Sequence, residues 1–139
     1  MTPSERARTL EAGSELDALF FETCWGWRKE MLRDPTTQDE SKWSGAWLEK
    51  ERMPWTYCRP VSTDANACEA WAMRWARENG LLPQITIGAN DALVVLFSPV
   101  ESHPIPLITA KACGTDWKAA FVRACIVAAE AMKLNAKGT

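Results

Sequence analysis

The chain has 139 residues, 47% of them hydrophobic and 24% charged, and its formal net charge is −2 at pH 7. This length fits a single domain whose core needs no disulfide or metal to hold it together. The composition is ordinary for a soluble globular protein, and no apolar run approaches the roughly 20 residues of a membrane helix. Acidic and basic residues are interleaved, which disfavours bulk nucleic-acid binding because such binding leaves a basic footprint.

The polar N-terminus and the five cysteines indicate where the protein works. The first residues lack the apolar stretch of a secretory signal, so we expect a cytoplasmic protein. The number of cysteines is odd and no pair has C-x-x-C spacing, which predicts reduced thiols and no zinc site. Three cysteines fall on the apolar faces of predicted helices, and Cys58 is predicted to be the most reactive of the others. We expect no metal and no cofactor.

The first predicted helix covers Glu15–Met31 and follows a polar N-terminal segment, residues 1–13. Apolar side chains recur there at helical spacing. Ser14 and Asp17 have the spacing of an N-terminal capping box, with Asp in place of the usual Glu or Gln. The main domain is predicted to span residues 14–133.

A polar excursion, residues 33–55, follows this helix and carries three tryptophans that no helical stripe explains. Tryptophan and arginine dominate binding hot spots, so one interpretation is a partner-binding patch. The alternative is that these rings cover an open sheet face or edge of the same chain. A single helical turn across Ser41–Lys50 would place two of the rings on one side. The candidate partner-binding residues are Trp43, Trp47, Trp55, Lys42 and Arg52.

The second half of the chain reads as strand, helix, three strands and helix. Trp55–Val61 has strand composition, and Ser62-Thr63-Asp64 is a strong start for a helix over Asp64–Asn79. Asn79-Gly80 is a good helix stop. Short turns between the next three strands predict an antiparallel meander. These strands are predicted over Gln84–Ile87, Leu93–Phe97 and Ile105–Lys111.

The last predicted helix covers Asp116–Lys133, with Thr115 as its cap and residues 134–139 as a tail. Its apolar stripe, like those of the two earlier helices, is expected to face the core. Core packing accounts for the four tryptophans on the three stripes: Trp27, Trp71, Trp75 and Trp117.

Several short motifs recur in the order of a known family. They are Glu15-Leu16-Asp17-Ala18-Leu19 and Gly26-Trp27 at the two ends of the first helix, Ser62-Thr63-Asp64 before Ala70-Trp71, and Arg123-Ala124 in the last helix. Across residues 10–133 the chain thereby resembles the phage ABA-sandwich domain, a family of small bacteriophage proteins. The resemblance implies a phage or prophage origin and an α+β fold in which three helices sandwich or cover an antiparallel sheet of about four strands. It implies no established activity, cofactor or catalytic residue.

No residue constellation specifies a reaction, so the leading hypothesis is a non-enzymatic phage accessory protein. It would bind and neutralise a host protein or protein complex in the bacterial cytoplasm, as in host takeover or inhibition of a bacterial defence system. The alternative is a small-molecule binder that sequesters a nucleotide immune signal at a helix start. A cryptic enzyme and a double-stranded-RNA-binding module are less favoured, and a homo-oligomer stays open. The candidate ligand-binding residues are Arg59, Ser62, Thr63 and Asp64.

Overall fold

The computed structural model describes residues 2–32, 44–48, 58–98 and 107–137, with side chains at 2–27, 58–98 and 110–133. Within these ranges the fold is α+β, with four helices and a three-stranded antiparallel sheet. None of the helices in these ranges is long and apolar enough to cross a membrane.

The described ranges contain four helices. They are α1 (Pro3–Thr9), α2 (Ser14–Cys24), α3 (residues 65–78) and α4 (Trp117–Lys137). The central part of α3, Cys68–Met73, has π-helical bonding. The strands are β1 (Arg28–Leu32), β2 (Ser44–Leu48), β3 (Leu82–Ile87), β4 (Ala92–Ser98) and β5 (Leu107–Gly114).

The predicted first helix is confirmed as far as Cys24 and is wrong beyond it. Gly26 has φ +71°, a left-handed conformation that ends the helix and that side chains other than glycine rarely adopt. The Trp27 N–H then donates to the Phe21 carbonyl at 3.0 Å. The following residues form β1, whose partner is β2 in an antiparallel pair. The apolar side chains keep their helical spacing past Gly26, but the backbone is no longer helical there.

The helical turn predicted across Ser41–Lys50 is also wrong, because part of this segment forms strand β2. Ser44–Leu48 is extended and pairs with Arg28–Leu32, with Lys29 opposite Trp47. The strand predicted over Trp55–Val61 is not found in its described part, residues 58–61. There the Pro60 carbonyl accepts the N–H groups of Thr63 and Asp64, which makes a turn.

Helix α3 begins and ends where the sequence predicts. The Asp64 carboxylate accepts the N–H groups of Asn66 and Ala67, at 2.8 and 3.4 Å, and so caps the first turn. At the other end, Gly80 donates to the Arg77 carbonyl and Leu81 to the Ala76 carbonyl. This pair of bonds satisfies carbonyls that the helix itself leaves unpaired.

The antiparallel meander is confirmed, with strand order β3-β4-β5 and an irregularity in register between Leu96 and Phe97. Helix α4 packs across this sheet, and α1 and α2 pack on α4. Asp116, rather than Thr115, caps α4 by accepting the Lys118 N–H at 3.1 Å. The helix runs four residues into the predicted tail. The largest fully buried side chains include Phe20, Phe21, Phe121, Leu16, Leu96 and Ile126.

The sheet has a closed face and an open face within the described residues. On the helix side, β4 buries Ala92, Val94 and Leu96. On the other side, the intervening residues of β4 remain partly exposed. A fourth strand in this sheet and a helical layer on its open face are not found in the described ranges.

Candidate binding sites

The Ser62-Thr63-Asp64 segment connects the start of α2 to the start of α3 through hydrogen bonds. Ser62 is fully buried, and its hydroxyl accepts the Gly13 N–H at 2.9 Å. Its own N–H donates to Asp17 Oδ1 at 2.8 Å. Asp64 caps α3, as described above. Of the candidate ligand-binding residues, Ser62 is buried and bonded within the fold, and Asp64 is engaged as the cap of α3. Asp64, Thr63 and Arg59 are exposed.

Asp17 is a nearly buried carboxylate, and its role differs from the predicted one. The N-cap of α2 is Gly13, which makes no side-chain cap, so the capping box of Ser14 and Asp17 is wrong. Asp17 instead binds Ser62, 45 positions away in the chain. Burial raises the pKa of the Asp17 carboxyl, and the hydrogen bonds from Ser62 partly offset that rise by stabilising the charged form.

A cavity of about 490 Å³ lies beside this junction, at the start of α2. Its lining includes Thr63, Pro60 and Cys58 from one segment and Glu15 and Asp17 from the other. Two carboxyl groups at its wall disfavour a phosphate group here, because like charges repel at close range. The geometry around Thr63 therefore suits a neutral or cationic group better than a nucleotide phosphate.

The candidate partner-binding residues fall largely outside the described ranges. Trp43, Trp55, Lys42 and Arg52 lie outside them, and of Trp47 only the backbone is described, in β2. The partner-binding patch built from these residues stays a prediction.

Phe21, Trp25 and Trp27 form an aromatic cluster around Trp71. Its ring meets Phe21, Trp25 and Trp27 edge to face, with centroids 5.3–5.5 Å apart. Phe21 and Trp27 stack at 4.2 Å. Such ring pairs add roughly 0.5–1.5 kcal/mol beyond their buried area. The cluster fixes the residues that lead into β1.

The four tryptophans predicted to pack in the core do so, although Trp27 reaches it from beyond the end of α2. Trp27 and Trp75 are buried, whereas Trp71 and Trp117 are partly buried against the core. The sequence did not single out Trp25, because it falls between the stripe positions. The indole N–H groups of Trp25 and Trp27 are buried and make no hydrogen bond to any described residue.

The open face of the sheet carries an apolar patch on its middle strand, β4, and on Leu82 of β3. Its centre is formed by Leu93, Val95 and Phe97 of β4, all partly exposed. The register places Leu82 of β3 opposite Phe97, and Leu82 is 54% exposed. Polar and charged residues flank the centre on both sides. They are Gln84 and Thr86 of β3, opposite Val95 and Leu93, and Lys111 of β5, opposite Val95.

The thiols differ from the prediction in two respects: Cys24, on the stripe of the first predicted helix, is only partly buried, and Cys58 is not the most exposed thiol. Cys68 and Cys125 are buried, as expected, but the exposed thiol is Cys113 of β5, and Cys58 is only partly exposed. The described residues contain no group of three or more His, Cys, Asp or Glu side chains that could hold a metal ion. His103, the lone histidine, lies outside the described ranges.

Comparison of the chain with protein-family models, with curated proteins and with solved structures finds no match. The family resemblance therefore stays a proposal. It rests on the ordered motifs of the sequence, and the structure gives two of them a physical role. Ser62 and Asp64 join and cap helices, and Arg123 donates from α4 to the carbonyls of Ala7, Leu10 and Cys113.

Proposed function

We propose that the chain is a phage accessory protein, without enzymatic activity, that binds and neutralises a protein of the host bacterium in its cytoplasm. The observation that carries this proposal is the open apolar face of the sheet, centred on Leu93, Val95 and Phe97. The phage origin rests on the motif resemblance. The four-stranded sheet and the two-sided sandwich of that family belong to the same proposal.

The chemistry of this face is that of a protein-binding patch. Fully buried interface centres are apolar, and their rims are polar and accessible to solvent. Here three apolar side chains of β4 stand between uncharged polar residues of β3 and the lysine of β5. Contiguous apolar patches are rare on monomers, and those that occur are often functional. A sheet face fits another protein better than a small molecule, which binds in a concave site.

A competing explanation is that the chain covers this face by itself, as the sandwich architecture implies. The two explanations make opposite statements about Val95. If a partner covers the face, Val95→Lys removes binding and leaves the melting temperature nearly unchanged. If the chain covers the face, the same lysine is buried without a counter-charge and destabilises the protein strongly.

The experiment compares partner capture by the wild type, Val95→Lys and a control. Ala70→Lys is the matched control, because it adds the same charge at an exposed position of α3. A captured host protein is then purified, and its affinity for each variant and its activity in the complex are measured. We expect at least a tenfold weaker complex for Val95→Lys, equal affinity for Ala70→Lys, and loss of the partner's activity on binding.

Equal binding by Val95→Lys and the wild type would contradict the proposal, and so would a large fall in the melting temperature of Val95→Lys. The same assay tests the sequence-predicted patch through Trp43→Ser/Trp47→Ser.

A further inference from the structure

A second cavity, of about 790 Å³, lies where the end of α1, the end of β5 and the start of α4 meet. This volume is within the range of small-molecule sites, roughly 300–1,000 Å³. Three cationic residues line it: Arg8, Lys111 and Arg123. Glu11 is the one carboxylate among the described residues that line it. The charge balance of the cavity wall is therefore positive.

Arg123 is fixed at the cavity by backbone carbonyls. Its Nε donates to Ala7 O at 3.0 Å, its Nη2 to Leu10 O at 2.8 Å and its Nη1 to Cys113 O at 3.1 Å. A guanidinium group has five N–H donors, so one remains on each of Nη1 and Nη2. The three bonds hold the plane of the group before any ligand arrives, which lowers the entropy cost of binding.

The charge of Arg123 has no anionic partner in the described part of the chain. The ion pairs there join Arg74 to Glu78 and Lys118 to Asp116. All three acceptors of Arg123 are neutral carbonyls. Arg123 is only partly exposed, and a partly desolvated cation without a counter-ion favours an anion beside it. Arg8 and Lys111, both exposed, can reorient towards the same anion.

The start of α4 adds to the positive character of the cavity. Thr115 lines it just before the first turn of this 21-residue helix, whose N-terminal end carries a partial positive charge. The nearby Asp116 is paired with Lys118, at 2.6 Å between Oδ2 and Nζ, so its charge is largely compensated. Small apolar side chains complete the wall: those of Ala12, Ala112 and Ala119.

We propose that this cavity binds a small phosphate ester, with Arg8, Lys111 and Arg123 contacting the phosphate group and the alanines contacting its organic part. Arginine forks match phosphate oxygens in geometry as well as in charge. The acid-lined cavity at Thr63 lacks this chemistry. The proposal does not depend on the protein-binding role of the sheet face, although Lys111, on the edge strand β5, borders both surfaces.

The test titrates the purified chain with adenosine monophosphate, glucose 6-phosphate and phenyl phosphate by calorimetry. Adenosine, glucose and phenol serve as the uncharged controls. We expect saturable binding of at least one ester below about 1 mM and none of the uncharged compounds. Affinity should rise from pH 5.5 to 7.5, because the second phosphate pKa is about 6, and it should fall with added salt.

The variant Arg8→Gln/Lys111→Gln removes two charges from exposed side chains and leaves the structural Arg123 in place. Its charge-matched control is Arg74→Gln/Arg77→Gln on α3, away from the cavity. We expect the first variant to bind at least tenfold more weakly and the control to bind like the wild type. The proposal is overturned if no ester binds, if the uncharged compounds bind equally well, or if both variants retain full affinity.

Discussion

The two faces of the three-stranded sheet are built from alternate residues of the same strands, yet they differ in what covers them. The helix side of β4 presents Ala92, Val94 and Leu96, all buried, and the other side presents three partly exposed side chains. Both sets are apolar. Strands buried on both faces have such continuous apolar runs, whereas a strand with one wet face alternates between apolar and polar residues. The sequence of β4 thus specifies two covered faces, and the described helices supply one cover.

The polar contacts of the helix side reinforce the comparison. Asp17 and Ser62 join the start of α2 to the segment before α3, and Arg123 joins α4 to the ends of α1 and β5. These side chains hold the helical layer together and orient it on the sheet. The described residues of the open face make no such polar contacts. Another surface can therefore pack on this face without breaking any bond between the described elements.

The largest effect should come from neighbouring residues on opposite faces of β4. Leu96→Ala empties a fully buried site and should lower the free energy of unfolding by about 2–5 kcal/mol. Val95→Ala removes partly exposed methyl groups and should cost less than about 1 kcal/mol. Urea unfolding of both variants, analysed at equal slope, measures the difference. Similar losses for the two would mean that the open face is covered as completely as the closed one.

The reaction rates of the thiols should distinguish the two faces of the sheet in the folded protein, with no change in its stability. Cys113 lies opposite Leu93 on the open face and is exposed. Cys68 and Cys125 face the core, and burial raises the pKa of Cys68 to about 12. Such a thiol is about one ten-thousandth thiolate at pH 8, and the thiolate is the reactive form. In native buffer, Cys113 should react with a thiol reagent at least a hundredfold faster than Cys68.

Removing the fast phase by Cys113→Ser assigns it, and full denaturation should make all remaining thiols react. Cys58 is partly exposed, so a second variant, Cys113→Ser/Cys58→Ser, removes its contribution. A fast phase that survives in this variant would show that the helix side opens readily.

Local sequence patterns predicted the elements whose signals are local. Helix α3 has a capping aspartate and a glycine stop within its own segment, and the meander has short turns between alternating strands, so both were predicted closely. Apolar spacing that persists to Trp27 predicts a helix over Glu15–Met31, which is longer than the helix that forms. The pairing that makes residues 28–32 a strand comes from residues 44–48, and a side-chain period within one segment contains no information about it.

The candidate sites join residues that lie even farther apart in the sequence. Ser62 was singled out as a ligand residue because it stands at a helix start, but its buried hydroxyl binds Gly13, 49 positions away. The basic cavity combines Arg8 with Lys111 and Arg123, so no motif could reveal it. Arg123 did appear in the sequence as part of a family motif. That no described carboxylate pairs with it is visible only in the folded chain.

The smallest expected effect concerns the buried carboxylate of the helix side. Burial raises the pKa of Asp17, so the carboxyl group of Asp17 binds its proton more tightly in the native state than in the unfolded chain. The stabilisation from its protonated form is therefore complete at low pH and is lost as the pH rises through the folded-state pKa. Asp17→Asn mimics the protonated form at every pH and keeps an oxygen that can accept the Ser62 N–H.

We expect Asp17→Asn and the wild type to melt at similar temperatures near pH 3.5, and the variant to become the more stable of the two towards pH 7. Thermal melts of both proteins across this range measure the gap, and Glu15→Gln, an exposed carboxylate in the same helical turn, is the charge-matched control. A gap that opens in the opposite direction would show that the bonds from Ser62 stabilise the charged carboxylate by more than burial destabilises it. The helix side would then hold Asp17 as an ion, and the contrast between the two faces would rest on polar contacts as much as on apolar packing.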